Sequence, residues 1–284
     1  SMKIEAQIAA RTAELTAIRR DIHAHPELGF EEERTARIVA DKLKEWGCEV
    51  TTGIGKTGVV GTIRVGNNPR AIGLRADMDA LPMDEHNTFD HRSQHEGRMH
   101  ACGHDGHTTM LLGAAQYLSA TRNFDGTVHF IFQPAEEGRG GADAMVKDGL
   151  FEKFPCEQIF GMHNRPKLDV GKFAIRSGPQ MAGGGLFDIK ITGKGAHGAR
   201  PETGIDPVII ATQIISALQS VVSRNVAPLD SAVISVTQMH AGDAYNVIPQ
   251  EAVLRGTIRA FRKETMALVK ERIETISRGI AQTL

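Results

Sequence analysis

Histidine is concentrated in one short stretch of the chain. Six of the 12 histidines lie between positions 86 and 107, the last three of them in His100-Ala101-Cys102-Gly103-His104-Asp105-Gly106-His107. Histidine binds transition metals and moves protons near neutral pH. Thiolate and imidazole together suit zinc and similar divalent ions, and the glycine between Cys102 and His104 permits a tight wrap. The pattern indicates a metal site, with a buried cysteine beside capping histidines as the alternative. The remaining three, His86, His91 and His95, are expected on a loop surface.

Two adjacent carboxylates follow an apolar strand candidate. Glu136 and Glu137 lie in Gln133-Pro134-Ala135-Glu136-Glu137-Gly138, directly after residues 127–132. Open α/β sheets place their sites in such loops, at the carboxyl ends of strands. Adjacent side chains of extended backbone point to opposite sides, so one carboxylate can bind a metal while the other contacts an attacking water. The alternative is a solvated pair of glutamates in a turn.

Other candidate groups also follow predicted strands. His163, in Gly161-Met162-His163-Asn164, is a candidate ligand at the end of an apolar strand, or a lone histidine without a ligand role. Asp77 and Asp79 occupy alternate positions at another strand end, where a carboxylate can orient a ligand imidazole. By contrast, the residues around His197 indicate only a surface turn.

The segments around these motifs alternate between helices and apolar strands. That alternation predicts an α/β architecture with a largely parallel sheet. The predicted helices cover 4–22 (with a break near Arg11), 31–46 and 108–118, and the predicted strands cover 59–65, 71–75, 127–132, 158–162 and 171–175.

The pattern changes near Gly178 and predicts two domains, 1–180 and 181–284. The second contains strand 187–191, helix 206–223, strands 232–239 and 252–259, and helix 266–280. This order is the ferredoxin-like split βαβ pattern without its final strand.

Composition argues against two classes of partner. Lys and Arg total 33 against 34 Asp and Glu in 284 residues, so no basic field exists to hold nucleic acid. The longest apolar stretch, 208–218, is interrupted by polar residues, so no membrane span is expected. Three cysteines are too few for a disulfide framework and favour the cytoplasm.

Taken in order, the motifs from Arg20-Asp21-Ile22-His23-Ala24-His25-Pro26-Glu27-Leu28 to Asn246-Val247-Ile248-Pro249 span nearly the whole chain. They resemble the dinuclear-metal amidohydrolase family of hippurate hydrolases, N-acyl-amino-acid deacylases and auxin-conjugate hydrolases. The resemblance implies a catalytic domain with an inserted ferredoxin-like lid, a homodimer formed through that lid, and hydrolysis of N-acyl-L-amino acids. It also implies two divalent ions, manganese or zinc, with nickel or cobalt also compatible.

The same resemblance implies roles for individual residues. Cys102 bridges the two ions, His104 and His163 complete the ligands of one, Glu137 binds the other, Glu136 is the general base, and Asp79 is an acid behind the ligands. His197 reaches the partner subunit's active site, while Asn246 and Arg259 hold the substrate carboxylate. Asp77 departs from the wider superfamily, which has a ligand histidine there.

Three other interpretations accompany this resemblance. A metallodipeptidase or another amide deacylase fits the same motifs. Family members continue for roughly another hundred residues and supply a final ligand histidine, so we expect a C-terminally truncated chain with impaired activity, or an inactive fragment that only folds and dimerises. A structural zinc protein is disfavoured, because the paired glutamates suit an open catalytic site.

Overall fold

The computed structural model describes residues 5–284. The chain divides into two compact units, of which the first ends at Lys172 and the second begins at Phe173. The sequence predicts this division at 180/181. Ile4, where the first predicted helix begins, lies outside the described residues.

Unit 1 alternates helices with the strands of one sheet. Its helices are α1 (Ala6–Ala9), α2 (Thr12–Ala24), α3 (Glu33–Glu45), α4 (His104–Thr121), α5 (Gly141–Lys147) and α6 (Leu150–Lys153). Its strands are β1 (Glu49–Ile54), β2 (Gly58–Val65), β3 (Ala71–Asp77), β4 (Gly126–Gln133) and β5 (Gln158–Gly161). The predicted break near Arg11 is confirmed, since it lies between α1 and α2.

The sheet of unit 1 is mixed, in the order β1-β2-β4-β3-β5. β3 pairs parallel with β4 and with β5, while β1 and β2 form the antiparallel side. The predicted mixed α/β class is confirmed. Asp77 lies opposite Gln133, and Arg75 lies opposite Gly161. The carboxyl ends of three adjacent strands therefore meet at one edge of the sheet.

The core of unit 1 lies between this sheet and the three longer helices. Val59 and Phe130 from neighbouring strands are fully buried, together with Ile22, Leu43 and Leu112 from α2, α3 and α4. Burial of each such side chain stabilises the fold by about 1.5–3 kcal/mol. This packing fixes the strand ends and the first turn of α4 relative to each other.

Unit 2 has its own elements and core. They are β6 (Gly183–Thr192), β7 (Ala196–His197), α7 (Pro207–Ser220), β8 (Ala232–Ala241), β9 (Val247–Ile248), β10 (Glu251–Ala260) and α8 (Lys263–Thr283). β10 pairs antiparallel with β6 and β8, and β7 pairs with β9. The predicted order of strand, helix, strand, strand and helix is confirmed. Leu218 of α7, Leu254 of β10 and Val269 of α8 share the buried core.

Pro207–Asn225, which is α7 with the turn that follows it, is long and apolar enough to cross a membrane by length and composition. The sequence expectation that no segment reaches this length is therefore wrong for this segment. Ile210, Ile214 and Leu218 of the same helix pack into the core of unit 2. The core helix of a globular domain meets the same criterion.

Two predicted elements differ from the structure. Residues 171–175 form no strand, and Phe173 and Ile175 are exposed. Among residues 5–284 no neighbouring strand pairs with them, and an isolated strand is not stable by itself. Helix α4 begins at His104, not at Thr108, since Gly103 takes a left-handed conformation (φ 86°) that starts the helix four residues earlier. The metal-site motif therefore includes the first turn of a helix.

Candidate metal centre

The end of β3 contributes two buried carboxylates, Asp77 and Asp79, each 1% exposed. Desolvation by burial raises the pKa of Asp77, but a hydrogen bond from His107 and the charges of His104 and Arg75 outweigh it, and the pKa is about 2. Nδ1 of His107 lies 2.6 Å from Asp77, and a guanidinium nitrogen of Arg75 lies 2.9 Å from it. Both aspartates are ionised near neutral pH and attract cations.

The start of α4 presents two side chains, Cys102 from the loop before the helix and His104 as its first residue. His104 is fully buried, and its Nδ1 atom faces Asp79. The opposite ring atom, Nε2, lies 3.7 Å from a carboxylate oxygen of Glu137 and 3.9 Å from one of Glu136. Within the described chain this Nε2 atom has no hydrogen-bond partner. A buried nitrogen without a partner is uncommon, and a metal ion bound at this atom would satisfy it.

Glu136 and Glu137 occupy a turn just beyond β4. The backbone N–H of Glu137 donates to Asp79 at 2.9 Å, which fixes the turn against the end of β3. Burial, and then the charge of Glu137, raises the pKa of Glu136. A carboxylate with a raised pKa accepts a proton more readily, as a general base must.

His163 follows β5 and reaches the same place. Its Nε2 atom lies 3.5 Å from Sγ of Cys102. The next residue, Asn164, holds this loop against His107, because its side-chain oxygen lies 2.6 Å and its backbone nitrogen 3.0 Å from Nε2 of His107. The sequence predicts His163 as a candidate ligand because it follows a strand, and its side chain does lie beside Cys102.

Two groups of potential ligand atoms overlap at His104. Cys102, His104 and His163 form one group, and His104, Glu136 and Glu137 form the other, with the ligand atoms of each within 4.8 Å of one another. The structure therefore brings together all four predicted metal ligands and the predicted base. A third group contains Asp77, His104 and His107. It is less suitable, because both ring nitrogens of His107 already contact Asp77 or Asn164.

The chemistry of these side chains fits a divalent transition metal. Burial raises the pKa of the Cys102 thiol to about 12, together with a hydrogen bond to Glu137 and the charges of Glu137, Glu136 and Asp77. This concentration of negative charge is poorly balanced by the protein alone, and a cation would balance it. Thiolate, imidazole and carboxylate ligands are accepted by zinc and manganese alike.

The predicted site residues of unit 2 lie in two places. His197 pairs with Val247 in the β7–β9 ladder, and Gly198 donates to the carbonyl oxygen of Asn246 at 2.7 Å, so His197 and Asn246 are neighbours. Arg259 lies near the far end of β10, opposite Gly184, and is not brought to them. All three side chains belong to exposed residues.

Sequence reasoning missed several residues that support the metal centre. Arg75 binds Asp77 and also donates to the side-chain oxygen of Gln133 at 2.7 and 2.9 Å, linking the ends of β3 and β4. Asn164 holds the His163 loop. Arg75 and Asn164 both lie near strand ends in the sequence. That position alone does not distinguish them from other polar residues.

Comparison with known proteins identifies the family. Residues 73–276 match the model of peptidase family M20/M25/M40. The chain belongs to this family. The predicted resemblance is thereby confirmed. This M20 chain is a metal-dependent amidohydrolase.

Relatives of the M20 chain match it over nearly its whole length. It is 50% identical over 281 residues to a hippurate hydrolase of Campylobacter jejuni, and the match covers 99% of this chain and 73% of that protein. It is 44% identical to an N-acyl-L-amino acid amidohydrolase of Geobacillus stearothermophilus, over 95% of this chain and 73% of that one. A dinuclear metal binding M20 peptidase from Bacillus subtilis has a similar structure, with a TM-score of 0.78, 39% identity, and coverage of 97% and 71%.

Proposed function

We propose that this chain hydrolyses the amide bond of N-acyl-L-amino acids, with Glu136 as the general base. The observation that carries the proposal is that Glu136 lies together with His104 and Glu137 in one group of potential ligand atoms, which shares His104 with the Cys102-His104-His163 group. The relatives described as a hippurate hydrolase and an N-acyl-L-amino acid amidohydrolase support this class of substrate.

We further propose that Cys102, His104, Glu137 and His163 hold two divalent ions, manganese or zinc. Such ions acidify water and polarise a carbonyl group when they are bound. Asp79 keeps the His104 ring oriented, since it lies against the nitrogen opposite the ligand atom. The proposed ligands then come from the loops after β4 and β5, from the loop before α4 and from the first residue of α4.

In this mechanism Glu136 moves the proton. Its carboxylate takes one proton from the attacking water while the oxygen of that water bonds to the acyl carbon. It then delivers the proton to the amide nitrogen as the carbon–nitrogen bond breaks, so the products are a carboxylic acid and an amino acid. The raised pKa of Glu136 suits both transfers, because the group must accept and then release a proton near neutral pH.

For unit 2 we propose substrate binding. His197 is proposed to stabilise the oxyanion in the active site of a partner subunit, and Asn246 and Arg259 to hold the substrate carboxylate. Because Arg259 lies at the far end of β10 from Asn246, holding one carboxylate with both side chains requires that they come from different subunits of the proposed dimer. A homodimer formed through unit 2 and a cytoplasmic location are part of the same proposal. Three free cysteines support the cytoplasmic location.

The decisive experiment compares Glu136→Gln with Glu137→Gln. Hippurate hydrolysis and bound metal are measured on the same samples after loading with Mn²⁺ or Zn²⁺. We expect Glu136→Gln to lower kcat by about 10²–10⁴-fold with a normal metal content. Glu137→Gln should lose metal as well as activity. Substantial turnover by Glu136→Gln would exclude it as the base.

A metallodipeptidase is the second candidate, favoured by the peptidase description of the Bacillus subtilis structure. A dipeptide presents a free amino group where an N-acyl amino acid presents an uncharged acyl chain. Turnover of hippurate and of glycyl-glycine by the same metal-loaded sample separates the two. Preference for the dipeptide would replace the proposed substrate class and leave the metal-centre assignment intact.

A further inference from the structure

Glu32 is a fully buried carboxylate for which the proposed mechanism has no use. It directly precedes α3 but makes no side-chain cap for that helix. Its Oε1 atom accepts the backbone N–H of Ala135 at 2.7 Å, and its Oε2 atom accepts the hydroxyl of Thr57 at 2.6 Å. Among residues 5–284 it forms no ion pair with a basic side chain. Desolvation by burial raises the pKa of Glu32.

Ala135, the residue that Glu32 contacts, has an unusual backbone conformation. Its φ angle is 47°, in the left-handed region of backbone conformation that residues other than glycine rarely adopt. Such a conformation persists only where the surrounding structure holds it. Ala135 is fully buried and immediately precedes Glu136. The direction in which the chain leaves Ala135 therefore decides where the Glu136 and Glu137 side chains lie.

The turn is anchored at three points. Glu32 accepts the N–H of Ala135, the carbonyl oxygen of Ala135 accepts the N–H of Gly141 at 3.0 Å, and Asp79 accepts the N–H of Glu137. The first of these bonds acts on the strained residue and comes from a side chain 103 positions away in the sequence. A buried carboxylate without a cation is costly, and an apolar residue would fill the space at lower cost.

We propose that Glu32 is a positioning residue, which holds Ala135 in its left-handed conformation and thereby sets the placement of the Glu136 and Glu137 carboxylates. The inference deepens the proposed function and rests on it for the roles of those two glutamates. In this role Glu32 contacts neither substrate nor metal. Its effect passes through one backbone hydrogen bond.

Glu27 provides a matched control. Its carboxylate also accepts a threonine hydroxyl, that of Thr35 at 2.7 Å, and the backbone N–H groups of Arg34 and Thr35 at 2.8 and 2.7 Å. These bonds hold the first turn of α3 instead of the Ala135 turn. Glu27→Ala and Glu32→Ala thus remove the same kind of interaction, so a general loss of stability affects both.

Two conservative variants distinguish the length of the Glu32 side chain from its charge as the property that matters. In Glu32→Gln the side-chain oxygen can still accept from Ala135, and the amide NH₂ can donate to Thr57, whose hydroxyl oxygen accepts. In Glu32→Asp the charge remains, but the side chain is one methylene shorter and does not reach Ala135. We therefore expect Gln to preserve the turn and Asp to lose it. If Glu32→Ala fails to fold, the Gln and Asp pair still decides the question.

The experiment measures three quantities on each variant: amide hydrogen exchange of the segment around Ala135, the affinity for Mn²⁺ alone, and kcat and KM for hippurate. For Glu32→Ala and Glu32→Asp we expect faster exchange at Ala135 and an affinity for Mn²⁺ lower by about tenfold or more. Their kcat should fall by about 10- to 100-fold with little change in KM. Glu32→Gln and Glu27→Ala should resemble the wild type in all three.

Three outcomes would overturn the inference: unchanged exchange at Ala135 in Glu32→Ala, an equal fall of kcat in Glu27→Ala, or a Gln variant as impaired as the Ala variant. Failure of the proposed function has a different signature. In that case the wild type binds Mn²⁺ but hydrolyses no N-acyl amino acid, and the exchange and Mn²⁺ measurements still decide the role of Glu32.

Discussion

Nδ1 of His104 lies 3.2 Å from a carboxylate oxygen of Asp79, and both side chains are almost fully buried. The second oxygen of Asp79 accepts the backbone N–H of Glu137. One carboxylate therefore receives hydrogen bonds from two of the proposed ligand residues. Desolvation by burial raises the pKa of Asp79, but these hydrogen bonds, the one from His104 foremost, outweigh it and lower the pKa.

Replacing Asp79 by Asn should weaken metal binding. An amide has only one oxygen, so its NH₂ group must face either the His104 N–H or the Glu137 N–H, and one donor loses its acceptor. We expect the affinity for Mn²⁺ to fall by about 10- to 100-fold, measured by calorimetric titration. Asp84→Asn is the control, because Asp84 lies in an exposed loop, where it accepts the N–H of Gly97. Equal affinities for the two variants would contradict the orienting role of Asp79.

Metal binding should release protons, and Cys102 should account for one of them. With a pKa of about 12, Cys102 is a thiol at pH 7.5 in the metal-free chain, whereas a metal ligand is a thiolate. Titration with Zn²⁺ in buffers of different ionisation enthalpy counts the protons released. We expect Cys102→Ser to release about one proton fewer than the wild type. Cys156→Ser, the control, should release the wild-type number, and an unchanged number for Cys102→Ser would argue against thiolate ligation.

The buried pair His23 and Asp105 should make unit 1 less stable at alkaline pH. The ring of His23 lies 2.9 Å from Asp105 and 2.8 Å from Glu85. The hydrogen bond to Asp105, followed by the one to Glu85, outweighs desolvation and raises the pKa of His23 above 6.5. The stabilisation is therefore complete below pH 6.5 and disappears as the pH rises through the folded-state value.

Urea unfolding of the metal-free chain tests this. Trp46 is the only tryptophan, and it packs against the core of unit 1, so its fluorescence reports on that unit. We expect the wild type to lose stability as the pH rises above 6.5, and His23→Gln to show a flatter dependence. His86→Gln, at an exposed loop position, should keep the wild-type slope. Identical slopes for all three proteins would show that His23 does not titrate as described.

Gly103→Ala should impair the metal centre for a steric reason. A Cβ atom at Gly103 would lie 2.5 Å from the side-chain oxygen of Asn164, which holds the His163 loop. The conformation is also left-handed, which disfavours alanine. Gly97 has a similar φ of 72°, but a Cβ there would have no other atom within 4 Å in residues 5–284. Gly97→Ala therefore reproduces the backbone strain without the overlap.

We expect Gly103→Ala to lower the affinity for Mn²⁺ by about tenfold or more, and Gly97→Ala to leave it unchanged. Both should lose some stability, about 1 kcal/mol, from the left-handed backbone. Chemical unfolding and metal titration on the same preparations separate the two effects. A normal Mn²⁺ affinity for Gly103→Ala would show that the loop tolerates displacement of Asn164.

The proposed ligands could be nominated from the sequence because each lies beside a local signal. Cys102 and His104 flank a glycine, Glu137 follows an apolar strand, and His163 ends another. The parallel pairing of β3 with β4 and β5 then places those strand ends at one edge. A rule about strand ends needs no knowledge of distant contacts, which is why it could be applied in advance.

Residues that act across the sequence could not be predicted in this way. Glu32 precedes a helix, where a surface acid is ordinary, and only the folded chain brings it to Ala135. The prediction of a strand at residues 171–175 was wrong for the opposite reason. Their alternating pattern met the local criterion for a strand, but among the described residues no neighbouring strand pairs with them. Pairing is a property of the whole sheet, so local alternation is insufficient evidence for an edge strand.

The parallel arrangement of β3, β4 and β5 also has a kinetic consequence. The proposed ligands come from segments that are far apart in the sequence and meet only when both parallel ladders have formed. Non-local parallel pairing is slow compared with helix formation. A cation present during refolding therefore finds no complete site in the early, collapsed chain. The rate of metal uptake during refolding would then report the rate of the last stage of sheet assembly in unit 1.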